Sequence, residues 1–71
     1  MALNLDENVG KVVGYLRSVD RLVSLSEVAS GSGLDLKTVT NIICQLVKVG
    51  AVKCFIREDS DGKIVALYVL T

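Results

Sequence analysis

The 71-residue chain has no histidine, no proline, two cysteines and no excess of either charge, since eight Lys and Arg balance eight Asp and Glu. Without histidine the side chain most often used as a general base or metal ligand is missing. The carboxylates fall at helix starts and in a turn, where structure accounts for them. No acid, base and nucleophile are left to converge, so the chain is not expected to be an enzyme. Gly31-Ser32-Gly33 lacks the lysine that follows a phosphate-cradling loop. One pair of cysteines is far below a secreted disulfide framework, and no CxxC occurs. A tetrahedral metal site would need a dimer pooling Cys44 and Cys54 from both copies. Two ordinary reduced thiols are the simpler expectation, with no metal and no cofactor.

No apolar run approaches the roughly 20 residues that span a bilayer. The longest, Ile64 to Leu70, is seven residues rich in β-formers. Met1-Ala2-Leu3-Asn4 lacks the basic and apolar regions of a signal peptide, so the chain is read as cytoplasmic with no membrane partner. A net charge of zero and a pI near 6.1 count against nucleic acid, whose binders usually carry a basic excess. The distribution is less hostile. From Leu36 to Gly50 there are two lysines and no acid.

What is present is hydrophobic pattern: 51% of residues are hydrophobic and 23% charged, without a like-charge run, which reads as one globular domain over residues 1–71. Asn4 and Glu7 form a capping box for a first helix from about Leu5 to Val19. Leu5, Val9, Val12, Val13 and Leu16 mark its buried stripe, with Lys11, Tyr15 and Arg17 away from it. Gly10 and Gly14, one turn apart, leave room for another backbone to approach. Leu22 to Leu25 suits a stub of strand. Ser24 and Glu27 form a second capping box, opening a short helix expected to stop at Ser30-Gly31, with Gly31-Ser32-Gly33 as the turn.

Asp35 caps a third helix, 36–49, that Gly50 ends. At 100° per residue, Leu36, Val39, Ile43, Leu46, Val47 and Gly50 share one side, and Lys37, Thr38, Asn41, Cys44, Gln45 and Lys48 the other. Beyond Gly50 the period changes to two β-rich runs, Ala51 to Arg57 and Ile64 to Leu70, which predict a hairpin. A Ser60-Asp61-Gly62 loop with Gly62 left-handed pairs Asp59 with Lys63. That register places Val52, Cys54, Ile56, Ala66, Tyr68 and Leu70 on a core face, and Lys53, Phe55, Arg57, Val65, Leu67 and Val69 on the other. The fold class is therefore α+β, three helices plus a C-terminal hairpin, with the short strand stub before the second helix.

Counted from Ser24, Ala29 is sixth, Gly33 tenth and Val39 sixteenth, with Leu34 just after the turn. This spacing resembles the helix-turn-helix signature. Leu25, Leu34, Val39, Ile43, Leu46, Gly50 and Val52, followed by an acidic Asp-Gly turn and Tyr68-Val69-Leu70-Thr71, resemble winged-helix regulators such as the MarR, IclR and ArsR families. The resemblance implies a sequence-specific, homodimeric transcriptional regulator on double-stranded DNA, with the third helix in the major groove and a wing on the phosphates. Carried over by position, Lys37, Thr38, Asn41, Gln45 and Lys48 face the groove, and Arg57 and Lys63 are the wing's phosphate contacts.

Glu58, Asp59 and Asp61 depart from that pattern, because acids at a wing tip repel phosphate. Phe55, Val65, Leu67 and Val69 form an apolar patch that predicts a homodimer or partner contact, unless the chain ends fold across it. Cys44 on the polar face invites a redox switch of DNA binding, with a small residue at a tolerant position as the alternative. A second reading of the whole remains open, a winged-helix interaction module within a larger complex. No small-molecule effector can be read from the residues.

Overall fold

A computed structural model of the chain describes residues 5–71. Three helices, α1 (Leu5–Val19), α2 (Leu25–Ser32) and α3 (Leu36–Lys48), are followed by β1 (Val52–Glu58) and β2 (Ile64–Leu70), an antiparallel hairpin. The α+β class and the winged helix-turn-helix arrangement are as expected. The Asn4 cap and the side chain of Leu5 lie outside the described residues.

The core is wholly aliphatic among the described residues: Val12 and Leu16 from α1, Val23, Val28 from α2, Val39, Ile42 and Ile43 from α3, and Val52 from β1. Burying such side chains is the main favourable contribution to folding. Two expectations for α1 are corrected. Tyr15 does not point away but packs against this cluster, its ring lying over Gly31 of α2. Gly10 and Gly14 receive no close neighbour, since a Cβ built on either would meet nothing within 4 Å.

The Ser24 capping box is present. Ser24 Oγ accepts the Glu27 N–H at 3.2 Å and the Glu27 carboxylate accepts the Ser24 N–H at 2.9 Å. Here α2 runs past Ser30-Gly31 to Ser32, and the turn is made by Gly33 alone, whose φ of 76° places it in the left-handed region. The expected strand at Leu22 to Leu25 is not formed. Only Val23 makes a bridge, exchanging both backbone hydrogen bonds with Tyr68 at 2.8 and 3.0 Å. Its neighbours Ser24 and Leu25 are taken by the cap and first turn of α2, which leaves no length for a strand.

The Ser24 N–H, helped by the Arg21 guanidinium 3.2 Å away, holds the Glu27 carboxyl below its ordinary value, although slight burial opposes them. The Thr38 hydroxyl and then the Thr38 N–H do the same for Asp35 at the start of α3. A carboxyl whose pKa is lower folded than unfolded adds stability above its unfolded pKa, and that stability is lost as pH falls through the folded value. The urea midpoint should therefore drop as pH falls below the ordinary carboxylate range near ~4. Glu27→Gln keeps the hydrogen bond to Ser24 but does not ionise, so it should flatten part of that fall. An unchanged acid slope would contradict the assignment.

The end of α3 is a Schellman motif: the Gly50 N–H reaches Val47 O at 3.1 Å and the Ala51 N–H reaches Leu46 O at 2.9 Å, with Gly50 at φ 83°. Val49 is therefore the cap rather than the last helical residue. On this helix Ile42 joins Val39 and Ile43 in the core, whereas Leu36 and Val47, expected inside, are exposed.

The hairpin register is as expected, with Val52 opposite Leu70, Cys54 opposite Tyr68 and Ile56 opposite Ala66. Gly62, at φ 82°, donates to Asp59 O at 3.0 Å, and the Asp59 N–H reaches Lys63 O at 2.9 Å. Only the base of the core face is covered. Val52 is buried and Tyr68 and Leu70 pack on the core, but Cys54 and Ile56 are exposed because the hairpin runs on past the helices. No helix among the described residues is long and apolar enough to cross a membrane.

Candidate nucleic-acid interface

The residues of α3, Leu36 to Lys48, include no carboxylate. Lys37, Asn41, Cys44, Gln45 and Lys48 are all exposed and recur at intervals of three and four, so they form one stripe about 16 Å long at 1.5 Å per residue. The core contacts of Val39, Ile42 and Ile43 fix the rotation of the helix and hence the direction of that stripe. Asn41 and Gln45, one turn apart, present amide donors and acceptors. Lys37 and Lys48 stand at its two ends.

Thr38 is only partly accessible, and its hydroxyl is already committed. It donates to Asp35 Oδ1 at 2.6 Å while the Thr38 N–H donates to Oδ2 of the same carboxylate at 3.2 Å. These two bonds favour the ionised form of Asp35, as its lowered pKa reflects, so a negative charge lies at the cap just ahead of the stripe.

Arg57 and Lys63 are exposed toward the far end of the hairpin, in the company of Glu58, Asp59 and Asp61. Asp59 has a structural task, since its Oδ1 accepts the N–H groups of Asp61 and Lys63, each at 2.9 Å. The wing tip thus holds two basic and three acidic side chains. Of the apolar residues expected on the outer face, Phe55 is exposed while Val65, Leu67 and Val69 are partly covered, and none of the four packs against the core.

The most exposed large apolar side chains of the hairpin are Ile56 at 65% and Ile64 at 69%, on the other face. Sequence parity put Ile56 inside. Length along the strand beyond the last helix contact was the missing signal.

Burial, and then its cross-strand partner Cys54, push the Tyr68 phenol above its ordinary pKa, with a smaller electrostatic contribution from Cys44. Cys54, expected to be packed, is exposed, as is Cys44.

No family model matches the sequence, and no curated relative does. Among solved structures the chain is similar to a possible transcriptional regulator from Methanosarcina mazei Go1, with a TM-score of 0.75, 17% identity and 94% of this chain covered. The fold is shared with that protein. The chain spans 58% of that protein's length, and identity at this level speaks for the fold alone.

Proposed function

We propose that the chain is a sequence-specific DNA-binding transcriptional regulator that places α3 in the major groove and acts as a homodimer. One observation carries the reading: an exposed, acid-free stripe of lysines and amides on the third helix of a fold shared with a possible transcriptional regulator. In this arrangement Asn41 and Gln45 read base edges, for which their amides suit adenine, and Lys48 and Lys37 serve guanine or phosphate. The Thr38 hydroxyl proton is spent on Asp35, so that residue contributes its oxygen only as an acceptor. Arg57 and Lys63 are the wing's phosphate contacts, weakened by the carboxylates around them.

Salt is the decisive variable. Four cationic contacts per copy, Lys37, Lys48, Arg57 and Lys63, predict a fall in affinity of roughly 100-fold for each copy between 50 and 200 mM salt, from a slope of about −0.9 per phosphate neutralised. Fluorescence anisotropy on mixed duplex DNA should show this fall, and Lys48→Glu should weaken binding at low salt. Absence of binding at protein concentrations of about 100 μM, beyond the usual non-specific range, would sink the reading.

The three acids at the wing tip favour a second reading, a winged-helix interaction module of a larger complex. Its docking surface would be the patch of Phe55, Val65, Leu67 and Val69. Phe55→Ser or Leu67→Ser would then abolish assembly, with Lys48→Glu silent.

A further inference from the structure

The two edges of the hairpin are not equivalent. In an antiparallel pair, residues alternate between bonding across the ladder and pointing their N–H and C=O outward. The Asp59 to Lys63 bond and the Thr71 N–H to Ala51 O bond show that the odd-numbered residues of β1 bond across to β2, and the Tyr68 pair with Val23 shows that the even-numbered residues of β2 point out. By the same alternation, Cys54, Ile56 and Glu58 turn their backbone groups to the outer edge of β1. Among the described residues nothing pairs with them. On β2 the corresponding edge is already occupied at Tyr68 by Val23. Every residue of β1 from Lys53 to Glu58 is exposed, while those of β2 from Val65 to Leu70 are partly covered.

We infer that the free edge of β1 pairs with β1 of a second copy, antiparallel about a two-fold axis at Ile56, to give a four-stranded sheet. The register follows from the side chains. With Ile56 opposite Ile56 of the second copy, Lys53 stands opposite Asp59, Phe55 opposite Arg57 and Cys54 opposite Glu58. Asp59 Oδ1 is engaged in its turn, and Oδ2 has no partner among the described residues, which leaves it for the lysine. Sliding the strands by two residues sets Lys53 against Arg57 in one direction and Arg57 against itself in the other, and like charges directly opposite are destabilising. The central register therefore pairs opposite charges at its rim, a cation with an aromatic ring inside that, and the 65%-exposed Ile56 with its own copy at the axis.

Charged side chains usually keep a bare edge strand single, and here the same charges are complementary in one register. This inference gives a geometry to the dimeric part of the proposed function and does not depend on DNA binding. It is tested without DNA.

In a Cys44→Ser background, Glu58→Cys places a thiol opposite Cys54 of the second copy, where Cα atoms of bonded pairs lie about 5.5 Å apart, within disulfide reach. Oxidised glutathione should then convert the 7.6 kDa chain to a covalent species of about 15 kDa that a reductant returns to monomer. Cys44→Ser alone should give far less. Light scattering on the untreated protein should report the dimer mass, and Ile56→Lys should halve it by opposing two lysines at the axis. Ile56→Pro should do the same while leaving the hairpin folded, because the Ile56 N–H lies outside the β1–β2 ladder. A monomer at all concentrations overturns the inference, as does a dimer that resists both Ile56 variants and gives no cross-link. Dissociation of that dimer by Leu67→Ser would put the contact on the outer face instead. Loss of DNA binding by Lys48→Glu with the dimer intact would separate the two readings.

Discussion

Ile43→Ala should lower the free energy of unfolding by roughly 2–5 kcal/mol, the range for deleting a large aliphatic side chain from a packed core. Ile43 is 1% exposed and lies on α3 among Val39, Ile42 and the other aliphatic residues that join the helices to β1. A chain of 71 residues is expected to have about 4–10 kcal/mol in total at roughly 0.05–0.15 kcal/mol per residue, so this single change removes a large share of it. The control is on the same helix. Leu36 lies on the same side of a helical wheel but is 52% exposed, and Leu36→Ala should cost no more than about 0.5 kcal/mol, as surface changes usually do. Urea unfolding of the two variants measures the difference directly. Similar losses would mean that α3 is rotated from the position described, and with it the stripe of Asn41, Gln45 and Lys48.

The glycines of the helices should respond to alanine in opposite directions. At Gly14 the added methyl meets nothing within 4 Å, so Gly14→Ala should stabilise by about 0.5–1 kcal/mol through helix propensity and reduced freedom of the unfolded chain. At Gly31 the methyl would overlap the ring of Tyr15. There the same helical gain is set against overpacking of roughly 1–3 kcal/mol, and Gly31→Ala should be destabilising overall. Removing the ring tests the cause. In a Tyr15→Ala background, Gly31→Ala should become neutral or stabilising, which a double-mutant cycle reads as a coupling of about 1–3 kcal/mol between contacting residues. Thermal melts of the four proteins suffice, and additivity would show that the Tyr15 ring does not rest on α2.

These two cases mark where residue pattern was legible and where it stopped. Local chemistry was readable because it is written in neighbouring residues. The Ser24 and Glu27 box, the left-handed Gly33, Gly50 and Gly62, and the hairpin register set by the Ser60-Asp61-Gly62 loop all follow from spacings of a few positions. The polar stripe of α3 was readable for the same reason. Tyr15 was misplaced because a wheel assumes one contact face, whereas α1 packs against the core and also carries Tyr15 sideways onto α2.

Leu36, Val47, Cys54 and Ile56 were misplaced for a related reason. Periodicity tells which face a residue is on but not how far along the element its neighbour extends. That the Thr38 hydroxyl proton is committed to Asp35 was not legible, because spacing gives the cap but not the rotamer of the residue it binds. The free edge of β1 was invisible to pattern altogether, since an edge is defined by what does not pair with it.

The bridge between Val23 and Tyr68 has a consequence for the order of assembly. It ties the segment entering the helix-turn-helix to the final strand, so two backbone groups ahead of α2 depend on residues far along the chain. Contacts between such distant segments form late, because the intervening chain must first be ordered. During synthesis the helices can condense early, but Val23 stays without its partner and the core without Tyr68 until β2 has left the ribosome. A nascent chain stalled before β2 should therefore be protease-sensitive at the α1–α2 connection, far from the strand it lacks.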